Sequence, residues 1–393
     1  MSGISSAAPD LMKDQAASGA DFGGRRSGSV LSPRVLNRTL LQRQLLLNRA
    51  DLSVPEAIRH LVGLQAQASN PPYIGLWTRL EDFRHKDLSQ LLLERKVVRI
   101  ALMRSTLHLV TARDCLGLRP LLQPVLDRGL KGSYGRKLAG LNIEAIAAAG
   151  RTLAEQEPRT FSELGSLLGT QWPDTDPAAL AAVVRTLVPL VQVPPRGIWG
   201  VGGPAAHTPA ETWLGNPLQA GTGPDEMLLR YLTAFGPATV QDMQVWSGLT
   251  RLREAVDRLR PRLVTYRDEH GSELFDVAEM PLTDPDSLVP LRFLPEFDNM
   301  LLSYADRSRI IAEEHRSRVF TVNGIIRATV LVDGFVSGTW KVERSRGSAA
   351  LVIEPFRPLS AENQTALAEE GSRLLRFIAE DAETYDIRYV EPE

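Results

Sequence analysis

Apolar residues recur at helical spacing in the first part of the chain. Val35, Leu36, Leu40, Leu41, Leu45 and Leu47, separated by Arg and Gln, predict an amphipathic helix. Val54, Ile58, Leu61, Val62 and Leu64 predict a second, whose apolar face enters a core, and Leu88, Leu91 and Leu92 a third over 87–94. The pattern then changes to short β-type runs, 97–102 and 106–110, around Arg104-Ser105. Three helices followed by a hairpin is the order of a winged helix.

That order recurs twice. In the second copy a helix starts at Phe161, another covers 177–188, and Val191-Gln192-Val193 turns through Pro194-Pro195-Arg196-Gly197 to Ile198-Trp199. In the third, helices over 225–235, from 239 and over 249–260 precede a wing of 263–266 and 274–277, which turns at Glu269-His270-Gly271. Beyond Val289 the chain is β-rich. Asn323-Gly324 and Asp333-Gly334 each sit between β-type runs, and both dipeptides suit two-residue hairpin turns because they tolerate positive φ. A strand over 350–354 is followed by Ser360, an N-cap for an amphipathic helix over 361–382. The expected fold class is α+β: a tail over 1–33 too polar to order, winged-helix units over 34–112, 113–210 and 211–282, and a small C-terminal β-barrel or sheet with a closing helix over 283–393.

At 43% hydrophobic and 23% charged, the 393 residues have the composition of a soluble globular protein with more than one core. A net charge of −2 excludes a generally basic, nucleic-acid-coating protein but leaves room for local basic patches. Only six of the 45 basic residues are lysine. Arginine suits bidentate contacts with phosphate, although a genome's base composition produces the same bias. The single cysteine, Cys115, allows no internal disulfide and no thiolate cluster for zinc, and fits a reducing cytoplasm. Six scattered histidines predict no metal site, and the chain carries neither a signal pattern nor an apolar run that would span a membrane.

Candidate chemistry begins at Gln65 and Gln67, which flank Ala66 where a core-facing helix is expected to give way to an Asn70-Pro71-Pro72 loop. Such a place often borders a cleft, though glutamines are also ordinary at helix ends. Strand alternation puts Arg104, Thr106 and His108 on one side; His108 also reads as a satisfied, partly buried histidine. The stretch 129–137, with Lys131, Arg136, Lys137 and Tyr134 among glycines, reads as a basic loop able to clasp a nucleic-acid strand, or simply as a mobile one. The helix over 249–263 bears Arg251, Arg253, Arg258, Arg260 and Arg262 away from its leucine stripe, a face for phosphates or for solvent. Asp298, Asn299 and Arg307 belong to a polar stretch suited to lining a pocket or to fixing a loop by ion pairs.

Four of these stretches, Gln65-Ala66-Gln67, Met103 to His108, Leu294 to Asn299 with Asp306-Arg307, and Asp333-Gly334 through Gly338-Thr339-Trp340, together resemble the AlkZ-type (AlkZ/YcaQ) winged-helix DNA glycosylases. The likeness runs from about Leu36 to the C-terminus. It implies a monofunctional enzyme, monomeric and without a cofactor, that hydrolyses the N-glycosidic bond of bulky N7-alkylated purines or unhooks interstrand crosslinks in double-stranded DNA. The role implied is DNA repair or self-resistance to a DNA-alkylating natural product. The family signature is Gln, a small or apolar residue, then Gln or Asp, so the resemblance makes Gln65 and Gln67 catalytic. The DNA contacts expected are Arg104, Thr106, His108, Lys131, Arg136, Lys137, Arg251, Arg258, Arg262, Asp298, Asn299 and Arg307.

An amide at position 67 cannot serve as a base at neutral pH. Alkylation at N7, however, makes the purine cationic and a good leaving group. Two fixed amides are then expected to hold the hydrolytic water against C1′ and to supply dipoles where charge develops. The competing expectation is a non-catalytic winged-helix protein, a regulator or a lesion-shielding factor.

Overall fold

Local chemistry sets the boundaries around the glutamine pair. Ser53 opens the helix Val54–His60 by reciprocal capping: its hydroxyl accepts from the Glu56 N–H (3.4 Å), and the Glu56 carboxylate accepts from the Ser53 N–H (3.0 Å). The helix runs out through two left-handed residues, Val62 (φ 55°) and Gly63 (φ 93°). A Cβ at Gly63 would lie 2.6 Å from a Val110 methyl, so a side chain there would collide with the neighbouring strand. The turn delivers Leu64–Gln65 as a short strand antiparallel to Leu107–Thr111, with Gln65 opposite His108. The glutamines therefore sit at a sheet edge, not at the helix end the periodicity suggests. Pro71-Pro72, expected to form an extended loop, instead opens the helix Pro71–Trp77, where proline's missing N–H costs nothing.

The computed structural model describes residues 28–391 apart from 220 and 222, so most of the tail expected over 1–33 lies outside the described residues. The architecture is mixed α+β, with helices packed around three sheets. The central sheet has the order Leu64–Gln65, Leu107–Thr111, Val97–Ala101, Leu190–Gln192, His207–Pro209. The hairpin expected over 97–110 is present. The second expected hairpin is not: Leu190–Gln192 pairs with His207–Pro209 rather than with Ile198-Trp199. Pro194 and Pro195 have no N–H to continue a ladder. Trp199 packs its ring 4.0 Å from His85 and 5.6 Å from Phe377 instead. Because this sheet joins 64–111 to 190–209, the boundary expected between 112 and 113 separates strands that are hydrogen-bonded together.

The basic loop expected over 129–137 is helical as far as Tyr134, in the helix Gln123–Tyr134. Leu126, Leu130 and Tyr134 fall four residues apart, and that apolar stripe outweighs the poor helix propensity of glycine. The third copy matches expectation: helices Asp225–Phe235, Val240–Ser247 and Arg253–Leu259 precede the hairpin Leu263–Asp268 with Glu273–Val277. Val30–Leu31 adds a parallel edge strand to it, so regular structure starts ahead of the expected Val35. Arg43 ties the first helix to this unit through a fully buried bidentate pair with Asp276, at 2.6 and 2.8 Å.

The C-terminal sheet has the order Thr384–Tyr389, Ser348–Pro355, Phe335–Ser345, Thr329–Val332, Arg292–Leu294. Asp333 (φ 48°) and Gly334 (φ 81°) make the expected tight turn. The hairpin expected at Asn323-Gly324 reduces to one bridge, between Phe320 and Ile326, after a short helix Arg316–Val319. The closing helix spans Ala361–Ile378, and the strand Thr384–Tyr389 beyond it was not expected. One apolar core runs from Leu45, Ile58 and Leu92 into Phe293, Trp340, Leu351 and Leu374, so this sheet packs directly against the helices that carry the glutamine strand. Among the described residues no helix is long and apolar enough to cross a membrane.

Candidate active site

The glutamine strand is anchored from the far end of the chain. Asn299 donates from Nδ2 to the Gly63 carbonyl (2.7 Å), and its Oδ1 accepts from the Gln65 N–H (3.4 Å). Next to it, Asp298 accepts two hydrogen bonds from Arg79, both 2.9 Å, and caps the helix Asn299–Leu302 through the Met300 N–H (3.0 Å). Asp298 is 3% exposed and Asn299 6%, so neither is the surface group expected; their hydrogen bonds brace the strand that presents Gln65.

Gln65 Oε1 accepts from Arg104 Nη2 at 2.7 Å, and Arg104 Nη1 donates to the Trp246 carbonyl. Arg104 is not on a strand. It lies in the turn Met103–Ser105, where Arg104 (φ 55°) and Ser105 (φ 58°) are both left-handed. Such strain persists only where the surroundings over-determine it. Here Arg185 Nη2 donates to the Ser105 carbonyl (2.8 Å), and Gly248 comes so close that a Cβ would lie 3.2 Å from the Arg104 nitrogen. Burial, with a smaller push from Arg307, lowers the Arg104 pKa to about 10, so it stays charged at neutral pH. The side chain expected to reach DNA is held on Gln65.

Gln67 Oε1 accepts from the Leu107 N–H (2.9 Å), while the Ala66 N–H donates to the Leu107 carbonyl (2.7 Å). From behind, Arg99 Nη2 donates to the Ala66 and Ala68 carbonyls (2.6 and 3.2 Å), and Nη1 donates to Gln192 Oε1. Guanidinium and backbone N–H groups only donate, so the atom each glutamine turns toward them must be its carbonyl oxygen. Both side chains therefore direct their NH₂ groups away from these contacts. Gln65 is 6% exposed and Gln67 lies open to solvent.

His108 is 1% exposed, and burial together with the charge of Arg104 lowers its pKa to about 3. It is neutral, and its Nδ1 lies 2.9 Å from the Thr106 carbonyl, so the side chain expected at the DNA surface is enclosed by protein. The half-buried Thr106 donates its hydroxyl proton to the Met103 carbonyl (3.0 Å). Lys131, Arg136 and Lys137 are exposed, Lys137 pairing with Asp176 at 2.6 Å. On the arginine-rich helix, Arg258 pairs with Asp225 (2.7 Å), and Arg253 and Arg260 both reach Asp257 and Glu273. Among the described residues Arg251 and Arg262 have no carboxylate partner; both are exposed. Arg307, partly buried, stacks over Phe320 at 4.8 Å.

Sequence reasoning overlooked Arg99 and Arg79. Arg99 interrupts the apolar run Val97-Val98-Arg99-Ile100, and a charge inside a buried strand must have partners, which was a usable signal. Arg79 carried none, because its carboxylate lies 219 residues away in the chain.

A family model described as "DNA glycosylase AlkZ-like" matches residues 58–377. The "Interstrand DNA cross-link repair glycosylase" of Streptomyces sahachiroi is 24% identical over 365 residues, covering 86% of this chain and 94% of that protein. The solved structure of the Streptomyces sahachiroi DNA glycosylase AlkZ has a similar fold, with a TM-score of 0.76 at 21% identity over 92% of this chain and 100% of that one. The chain, with its paired amides on a braced strand, belongs to the AlkZ-like family of DNA glycosylases.

Proposed function

We propose that this enzyme hydrolyses the N-glycosidic bond of bulky N7-alkylated purines in double-stranded DNA, interstrand crosslinks among them, and leaves an abasic site. The observation that carries the reading is the locked amide pair: Arg104 and the Leu107 N–H hold the two glutamine carbonyls, so that two NH₂ donors are fixed before substrate arrives. The relative named for interstrand cross-link repair supports the crosslink part. As the C1′–N9 bond breaks, both its electrons go to the purine and cancel the positive charge left by alkylation. A water oxygen adds to C1′ and releases its proton to solvent. One amide NH₂ donates to a single lone pair of that water and leaves the other lone pair to attack, while the second lone pair of a glutamine carbonyl accepts one of the water's protons. We read the helix–hairpin units as winged helices, the first two fused through the central sheet, and the protein as a cytoplasmic monomer that repairs such damage or protects a producer of the alkylating compound. The test is purified protein on duplex DNA alkylated at guanine N7, with alkaline cleavage to reveal abasic sites. Product above spontaneous depurination is expected, and none would overturn the reading.

Arg104 acts here as a positioning residue for Gln65. Arg104→Met is expected to slow single-turnover base release roughly 10- to 100-fold with DNA affinity nearly unchanged, and to add nothing in a Gln65→Ala background. Equal losses in both backgrounds would mean that Arg104 works on DNA directly.

Phosphate contacts are expected from the unpaired cations. Removing Arg251 and Arg262 together should weaken binding alike for all sequences and flatten the log K–log salt slope by about 2, roughly 0.9 per contact. Arg258→Ala should do less, since Asp225 already engages that side chain. An unchanged slope in the double variant would make this face merely solvated.

A further inference from the structure

A cavity of about 210 Å³ opens beside Gln67, between the central sheet and the start of the helix Phe161–Gly169. Ile100, Ala101, Leu107 and Leu190 give it apolar walls, and Phe161 stacks on His207 at 4.2 Å to close one side. A dry cavity of roughly 150 Å³ is enough for benzene, so this one has room for a larger flat ring.

The polar lining is one-sided. Gln67 and Gln192 both contribute amides whose carbonyls each already accept one hydrogen bond, from the Leu107 N–H and from Arg99, which turns their NH₂ donors away from those contacts. Arg119, held by Gln123 (2.6 Å) and the Thr186 carbonyl (2.6 Å), and Arg185, held by the Ser105 carbonyl, supply two guanidiniums. Among the described residues no carboxylate lines the cavity, and burial lowers the His207 pKa to about 4, which leaves that ring neutral at physiological pH. The walls offer donors and positive charge, and thus match a planar, uncharged ring with hydrogen-bond acceptors along its edge.

We propose that this cavity binds, in its neutral form, the purine base released from a small N7-alkyl adduct; at about 210 Å³ it does not take a bulky adduct or a base still tethered to the opposite strand. The assignment rests on the glycosylase reading above and extends it. An N7-alkylated purine still attached to deoxyribose is a cation and is disfavoured beside Arg119 and Arg185. Once the C1′–N9 electrons have moved onto the ring, the base is neutral, and its ring nitrogens and exocyclic oxygen can accept from the amide and guanidinium donors. The site therefore favours the product over the substrate base, and Arg99 links its wall at Gln192 to the strand at Ala66. This device differs from the Gln65–Arg104 pair, which acts at the sugar.

The experiment is calorimetric titration of the full chain with 7-methylguanine and, in mildly acidic buffer, with the cationic nucleoside 7-methylguanosine. Saturable binding of the free base is expected, with the nucleoside weaker. Ala205→Trp, on a partly exposed loop lining the cavity, fills it, and Phe161→Ala removes one wall. Each should weaken binding of the base roughly ten-fold or more, the size of one base–aromatic stacking contact, with thermal unfolding confirming the fold. No saturable binding, or binding unchanged in both folded variants, would overturn the site; equal binding of base and cationic nucleoside would overturn the preference for the neutral product. Because no bond is cleaved in this titration, failure of the glycosylase reading shows separately, as absence of abasic product with alkylated duplex.

Discussion

Replacing Gln65 and Gln67 together by alanine is expected to lower single-turnover base release by roughly 10²- to 10³-fold, the range for removing fixed hydrogen-bond donors from a reacting centre. DNA affinity stays close to wild type, because two amides add little to a contact dominated by phosphates. The magnitude is bounded from both sides. On the proposed reading the alkylated purine leaves readily by itself and the protein has to supply positioning more than acid or base, so the residual rate should still exceed the spontaneous one through binding alone. A double variant that folds, binds and keeps full activity would sink the catalytic assignment. Gln65→Glu sharpens the test. A carboxylate there would pair with Arg104 and would lack the NH₂ group, so this variant should be about as slow as Gln65→Ala. If instead it matched or exceeded wild type, negative charge near the sugar, not a donor, would be what the reaction needs.

Asp298→Ala should cost about 3–5 kcal/mol of stability, the range for removing one partner of a buried ion pair. Arg79 has no accessible side-chain surface, and its remaining hydrogen bond is to the Gly75 carbonyl, so the variant strands a guanidinium in an apolar core. With an unfolding entropy of roughly 2 cal/mol/K per residue over 393 residues, each kcal/mol shifts the melting temperature by about 1.2 °C, so it should fall by roughly 4–6 °C. Combining Asp298→Leu with Arg79→Met should recover much of the loss, since apolar replacement of both partners removes the uncompensated charge. A shift below a couple of degrees in the single variant would show that the pair is not structural. Base release should suffer with stability, because Asp298 precedes the asparagine that grips the Gly63–Gln65 turn.

Much of the secondary structure was legible because it rests on short-range chemistry. The hairpins at Arg104-Ser105, at 263–277 and at Asp333-Gly334 follow from alternation and turn residues a few positions apart. The Pro71 helix and the helical stretch 129–134 were missed because proline and glycine were weighed as breakers, although proline opens a first turn well and a four-residue apolar stripe overrides glycine. The last strand, Thr384–Tyr389, alternates Tyr385, Ile387 and Tyr389 with polar residues and could have been read.

The sequence by itself determined the mixed class, the helix–hairpin order of the first and third copies, and which two amides deserve a reaction, the last through motifs that resemble a family. Side-chain roles around those amides were decided by tertiary structure. Arg104, His108, Asp298 and Asn299 all looked like groups for DNA, and the fold turned the first into a clamp on Gln65 and buried the other three. The partners that settle this, Trp246 for Arg104, Arg79 for Asp298 and Gly63 for Asn299, lie 142, 219 and 236 residues away along the chain. Periodicity reports which way a side chain points along its own element, but whether water, DNA or another buried group waits there depends on how distant elements pack.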